Sequence, residues 1–155
     1  MDYMKLIVSI LIPLIVGFAG SFFTSSSINS WYSTINKPSF NPPNWLFAPV
    51  WTLLFILIGI SFYLVWNKDF GDIRSWVLLI YGANLALNLL WSLLFFGLRN
   101  PYLALIEIVI LWFVILGNII VFYRISRTAG LLLIPYLLWV TFASFLNYNI
   151  YILNR

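Results

Sequence analysis

Few side chains inside the apolar part of this chain are able to do chemistry. Glu107 is the one acid well inside an apolar run. A carboxyl in hydrocarbon costs a few kcal/mol on insertion scales, so Glu107 is a functional candidate unless it is simply paired. Asn84 and Asn88 are the next, with Tyr81, Trp91 and Phe95 recurring around them at steps of three and four residues. On a helix that spacing makes one stripe, both aromatic and hydrogen-bonding. Amides are costly in lipid unless paired, so the stripe faces inward, either to glue helices together or to line a cavity. Eight Trp complete the set. The chain has no Cys and no His, which excludes disulfides, thiolate or imidazole metal sites, Cys nucleophiles and Ser-His arrangements. No metal site is expected, and an iron porphyrin bound here would lack a His or Cys axial ligand.

The elements that position these residues are membrane spans. Of 155 residues 63% are hydrophobic and 8% charged, with a mean hydropathy of +1.01, far from the roughly 25% charged residues of soluble domains. Five runs approach the roughly 20 residues a spanning helix needs: Leu6 to Phe23, Trp45 to Trp66, Ser75 to Gly97, Pro101 to Tyr123 and Ala129 to Leu153. The loops are short except the first, so residues 1–155 read as one domain, an all-α integral membrane protein built as a five-helix bundle. The first run lacks a small-residue cleavage site and is read as a retained span. Lys5, Lys68, Arg74, Arg124 and Arg127 fall on the amino-terminal side, against Lys37, Arg99 and Arg155 on the other, so the amino terminus is expected inside. The net charge of +4 is ascribed to this topology and to anionic lipid headgroups, with no nucleic-acid partner, since no basic stripe interleaves with exposed aromatics.

The first loop stands apart. Residues 31–51, WYSTINKPSFNPPNWLFAPVW, hold Trp31, Trp45 and Trp51 together with Pro38, Pro42, Pro43 and Pro49. Proline lacks a backbone donor and pushes the preceding residue out of the α region, so Lys37 to Pro43 cannot be a continuous helix. Its aromatics need an apolar partner, which suggests a lid folded over the mouth of the bundle.

Within the spans, Gly17 with Ser21, and Gly82 with Ala86, are small-xxx-small pairs that admit a close helix. Gly82 and Ala86 lie about 160° round from Asn84 at 100° per residue, on a face open to a neighbour in the bundle or to a second copy of the chain. Trp66 and Trp76 bracket a charged loop and read as interface anchors. In the last span Pro135 is expected to kink the helix or free a carbonyl mid-membrane. Tyr136, Trp139, Ala143 and Leu146 share a stripe there, and Ala143 leaves room beside an indole for a flat aromatic ligand.

The stretches WYSTINKPSFNPPNWLFAPVWTLL, NLALNLLWSLLFFGLRNP, ALIEIVILW and PYLLWVTFASFLNYNIYILN cover most of the chain. Together they closely resemble the tryptophan-rich sensory protein family, also called the TspO/MBR, translocator protein or peripheral benzodiazepine receptor family. The resemblance implies a five-helix bundle, commonly dimeric, with the first loop capping a pocket for porphyrins, especially protoporphyrin IX, and for isoquinoline carboxamide and benzodiazepine-type drugs. Porphyrin would be ligand or substrate, and no separate cofactor is implied. Some bacterial relatives are reported to degrade porphyrin in light. On matching positions, Trp51 and Trp139 would carry that photochemistry, Tyr32 and Pro42 would be lid contacts, Asn84 and Asn88 the polar wall, and Ala143 the small variable position. Glu107 corresponds to an acidic position in several relatives, and with Trp91 and Leu146 it joins the expected ligand-binding set. The tight sterol motif of animal members is missing at the carboxyl end. The expected setting is the cell membrane of a prokaryote, as a homodimer through Gly82 and Ala86 in contact with membrane lipid.

Three activities fit these residues: a receptor or sensor, a light-dependent porphyrin-degrading enzyme, and a transporter or conduit for which Glu107 is a proton-linked site. Lys37 or Arg99, near the lid, could meet a propionate.

Overall fold

Asp2 begins the first helix, its carboxylate accepting from the Lys5 N–H at 3.1 Å. In the computed structural model, which describes residues 1–155, α1 runs Tyr3–Ser27. It continues one turn past Phe23, through a hydroxyl-rich end. Ser21, Ser25 and Ser26 donate to carbonyls three residues back, and Ser27 donates to the buried Phe96 carbonyl at 2.6 Å. Hydroxyls bonded in this way need no water, so the polar tail remains helical.

The lid is one helical turn, α2 (Trp31–Thr34), followed by non-helical chain through Pro43, as its prolines require. From Pro43 the chain enters α3 (Asn44–Trp66), which contains Pro49. A short 3₁₀ turn (Gly71–Ile73) leads into α4 (Arg74–Ser92). The same span ends in a π turn, Leu93–Gly97, stopped by Arg99 in the left-handed region at φ 54°. Asn100 caps α5 (Pro101–Ile125) by accepting from the Leu103 N–H.

The fifth span is two helices. Ser126 caps α6 (Arg127–Leu132), and after a break at Leu133 the chain enters α7 (Ile134–Asn154). Pro135 therefore does not kink a helix in mid-membrane. It stands in the first turn of α7, where no N–H is required of it.

All five spans are long and apolar enough to cross a membrane. The chain is an integral membrane protein, all-α, built on a five-span bundle. α1 packs on α3 and α4, α4 on α5, and α5 on α7, whereas α3 barely touches α5 or α7. The closest approach is at Gly59: a Cβ there would meet Ile10 Cα at 2.6 Å and Ser9 O at 2.7 Å, so α1 and α3 touch backbone to backbone. Outward-facing Leu11, Ile15, Phe18, Phe113, Leu138 and Phe145 are exposed, as a lipid-facing surface requires. Trp76 also faces outward, while Trp66 lies under the Lys5 ammonium, 5.6 Å from its ring. Toward the end of the bundle away from the lid, the core includes an aromatic stack: Tyr81 lies flat on Phe62, with centroids 4.4 Å apart at 4°, and faces Phe122 at 5.9 Å.

Candidate functional site

Because α3 stands off from α7, the lid-side half of the bundle encloses a cavity of about 690 Å³, within the range of small-molecule pockets. Its wall is mostly rings. Trp51, Phe47 and Phe55 come from α3, Trp91 from α4, Phe95 from the π turn that follows it, and Trp139 and Phe142 from α7; Tyr32 descends from the lid. The rings brace one another. Trp91 stacks on Phe95 at 4.9 Å, Trp51 on Phe55 at 5.6 Å, and Phe47 meets Trp139 edge-on at 6.5 Å.

Polar groups in this wall are held by specific partners. The Trp91 indole N–H donates to Asn147 Oδ1 at 3.0 Å, and the Asn147 amide donates to the Pro101 carbonyl at 2.9 Å. Asn88 Nδ2 donates to the Tyr136 hydroxyl at 2.9 Å, Tyr136 to Asn84 Oδ1 at 2.7 Å, and Asn84 Nδ2 to Asn118 Oδ1 at 3.0 Å. The chain of bonds runs from the cavity surface, at Asn88, into the core. Trp139 has a buried indole N–H with no partner.

The lid is fastened by its own set of bonds. The Lys37 ammonium donates to the Tyr32 and Ile35 carbonyls at 2.7 and 3.1 Å and sits 4.9 Å from the Tyr32 ring. Tyr32 donates to Asn41 Oδ1 at 2.8 Å, and burial pushes its hydroxyl pKa up to about 12. Asn36 and Asn154 clasp each other. The Asn36 N–H donates to Asn154 Oδ1 at 2.9 Å, while Asn154 Nδ2 donates to the Asn36 carbonyl at 2.8 Å.

A capped, ring-walled cavity in a five-span bundle is the architecture implied by the resemblance, and residues 9–153 match the TspO/MBR family. The chain belongs to the TspO/MBR family. It is 50% identical over 154 residues to the tryptophan-rich protein TspO of Archaeoglobus fulgidus, covering 99% of each chain. With the tryptophan-rich protein TspO of Chlorobaculum tepidum it shares 46% identity over 145 residues, 91% of this chain and 90% of that one. With the human translocator protein it shares 36% over 143 residues, 91% of this chain and 85% of that one.

In this TspO/MBR chain Tyr32, Trp51, Asn88, Trp91, Trp139, Ala143 and Leu146 all line the cavity. Pro42, Asn84 and Glu107 do not. Asn84, one turn below Asn88, is wholly buried, and both ends of its amide are bonded to Tyr136 and Asn118. It supports the wall from behind. Glu107 lies on α5, which packs against α4 and α7 and contributes no residue to the large cavity; only Ile108 and Leu111 reach a small void beside Trp51, Asn88, Trp91 and Ala143. Its carboxyl is buried without a hydrogen-bond partner. Pro42 is buried within the lid, and the lid meets the cavity through Tyr32 instead. Lys37, considered for a propionate, is already bonded to two lid carbonyls.

The sequence favours helix packing for Gly17 and Ser21, counts Phe47 among the lid aromatics, and gives no site reading for Thr24 and Phe55; all five line the cavity. A hydroxyl run, SFFTSSS, inside a lipid-spanning segment was the available signal for the α1 wall.

Proposed function

We propose that this TspO/MBR chain is a membrane receptor or sensor whose ligand is a flat hydrophobic aromatic of the porphyrin class, held in the cavity beneath the lid. Protoporphyrin IX is the representative ligand, and isoquinoline carboxamides belong to the same shape class. One observation carries the reading: about 690 Å³ is walled by stacked indole, phenol and phenyl rings, with the Asn88 amide at the same surface. Ring faces suit a macrocycle, and a few placed polar groups orient it.

The floor supports a receptor over a conduit. Below Asn88, the Tyr136, Asn84 and Asn118 side chains are joined by hydrogen bonds, and Leu111, Ile115 and Val140 are packed and buried. Light-driven chemistry is an extension of the same reading. Trp51 and Trp139 border the space, and an indole beside an excited porphyrin is an oxidisable donor and a target for singlet oxygen. In the same proposal two copies pair through the exposed Gly82 and Ala86 face. The same proposal places the chain in a prokaryotic cell membrane with its amino terminus on the inner side.

The test is a dark titration of the purified protein with protoporphyrin IX, followed by Trp quenching and repeated under illumination. Saturable quenching at about one ligand per chain is expected. Loss of the porphyrin band in light should disappear in Trp139→Phe while dark binding survives. Quenching that never saturates would overturn the receptor reading, and bleaching unchanged in Trp139→Phe would overturn the photochemical role of that residue.

A further inference from the structure

The exposed part of the cavity wall is not distributed around the bundle. On α4 and α7 every lining residue is buried or half-buried. On α1 and α3, Phe18, Ser21 and Ser25 face Trp45, Ala48 and Thr52, and all six are exposed. Except at the water end, where Asn29 and Asn44 are also exposed, this surface lies within two membrane spans. Their exposed side faces lipid. We propose that the cavity is loaded sideways, from the lid-side leaflet of the bilayer, through the gap between α1 and α3, by amphipathic aromatic molecules dissolved in the membrane. The identity of the ligand rests on the receptor reading above; the route does not.

Helix packing accounts for the gap. α1 and α3 are in backbone contact at Gly59 and are wedged by Phe55, which fills the space over Gly17. Ala48 lies eleven residues from Gly59, about 16 Å along the helix at 1.5 Å per residue. Over that length no side-chain hydrogen bond joins the two helices, and cavity-lining residues of both are exposed. The hydroxyls of Ser21, Ser25 and Thr52 each turn back to a carbonyl of their own helix, at 2.6, 3.2 and 2.7 Å. A rim whose hydroxyls are all bonded within their own helices can face acyl chains and let an apolar molecule slide past. Pro49 removes an i to i−4 bond from α3 beside Ala48, so this rail bends more readily than an unbroken helix.

The other ways in are fastened. The lid is pinned to α7 by the two-way Asn36–Asn154 clasp. Phe40 lies flat on Phe145 at 5.3 Å and 15°, and meets Phe142 at 6.2 Å, closing the α7 side. Ser27 fastens the end of α1 to the Phe96 carbonyl. A sideways path breaks none of these bonds.

The decisive probe is an aryl diazirine dissolved in the bilayer of reconstituted vesicles, photolysed and mapped residue by residue by mass spectrometry. Label is expected on lipid-facing Phe113 and Leu138 and also inside the cavity, at Trp139 and Ala143. In Ala48→Trp the interior label should fall at least tenfold while the Phe113 and Leu138 label persists, which also reports a folded, inserted protein. Asn154→Ala, with the lid unclasped, should leave the interior label within twofold. Interior residues unlabelled in the wild-type protein, or interior label unchanged in Ala48→Trp and increased in Asn154→Ala, would overturn the route.

A second arm follows protoporphyrin IX uptake from vesicles, where Ala48→Trp should slow association and release together. Diazirine entry without saturable porphyrin binding would uphold the route and overturn the ligand. Porphyrin binding with rates unaffected by Ala48→Trp would uphold the receptor and overturn the route.

Discussion

Replacing Tyr136 by Phe removes one oxygen that makes two buried hydrogen bonds; replacing Tyr81 by Phe removes one that makes none. The Tyr136 hydroxyl accepts from Asn88 at 2.9 Å and donates to Asn84 at 2.7 Å, joining α7 to α4. Interhelical side-chain bonds in membranes average about 0.6 kcal/mol and reach about 1.7. Two of them, together with an Asn88 donor and an Asn84 acceptor left buried and unpaired, make Tyr136→Phe destabilising by about 1–3 kcal/mol. The Tyr81 hydroxyl is buried without a partner, and its ring keeps its stack on Phe62 whether or not the oxygen is there. Tyr81→Phe should therefore be neutral or stabilising by up to about 1–2 kcal/mol, the desolvation cost it removes. Reversible unfolding in mixed micelles, followed by circular dichroism, ranks the three proteins. The expected order is Tyr81→Phe at or above wild type, and Tyr136→Phe below it. Equal shifts in the two variants would refute the reasoning, since both lose the same atom from a buried ring. Only Tyr136→Phe also frees Asn88 at the cavity surface, so ligand affinity should change in that variant alone.

Gly59→Ala should destabilise by about 1–3 kcal/mol, because its Cβ meets α1 backbone at 2.6 Å. Gly82→Ala, with nothing of its own chain within 4 Å, should be tolerated by the single chain or gain it up to about 1 kcal/mol of helix propensity, while weakening any pairing of two copies through that face; the same unfolding assay compares the two variants. Asn154→Ala removes both halves of the lid clasp, worth about 0.5–1.5 kcal/mol per bond, so amide exchange at Asn36 should quicken several-fold while exchange within α5 stays unchanged. Burial disfavours the Tyr32 phenolate and pushes its pKa from the usual 10.0 up to about 12 in the folded lid. A raised pKa gives stability that is complete below pH 10 and lost as the pH rises toward 12; lid proteolysis should increase across that window in the wild type and remain flat in Tyr32→Phe.

Much of the architecture could be read from single stretches of sequence. An apolar run of about 20 residues in lipid can satisfy its backbone only as a helix, so five spans follow from composition. Span ends departed from the reading where local chemistry was ambiguous. The SFFTSSS tail continues as helix because its hydroxyls bond back to their own carbonyls. The third span closes in a π turn that hydropathy does not signal. For Pro135, the sequence stated that a helix is interrupted but not that the break falls at Leu133, which leaves the proline in a first turn.

The sequence by itself determined that the chain spans a membrane, that Lys37 to Pro43 is not helix, and that Asn84 and Asn88 face inward, because each follows from the cost of unpaired polar groups or from proline geometry. Which inward residue meets the cavity was decided only by the tertiary structure. Asn84 and Asn88 share a stripe, yet one is bonded into the core and the other lies at the wall, since the division depends on where Tyr136 and Asn118 arrive from other helices. Glu107, on α5, is absent from the wall of the large cavity for the same reason. The opening between α1 and α3 follows from a backbone contact at Gly59, far away in the chain from the α1 residues it brings close. Relative rotation and divergence of helices are set by such non-local contacts, and no local pattern encodes them.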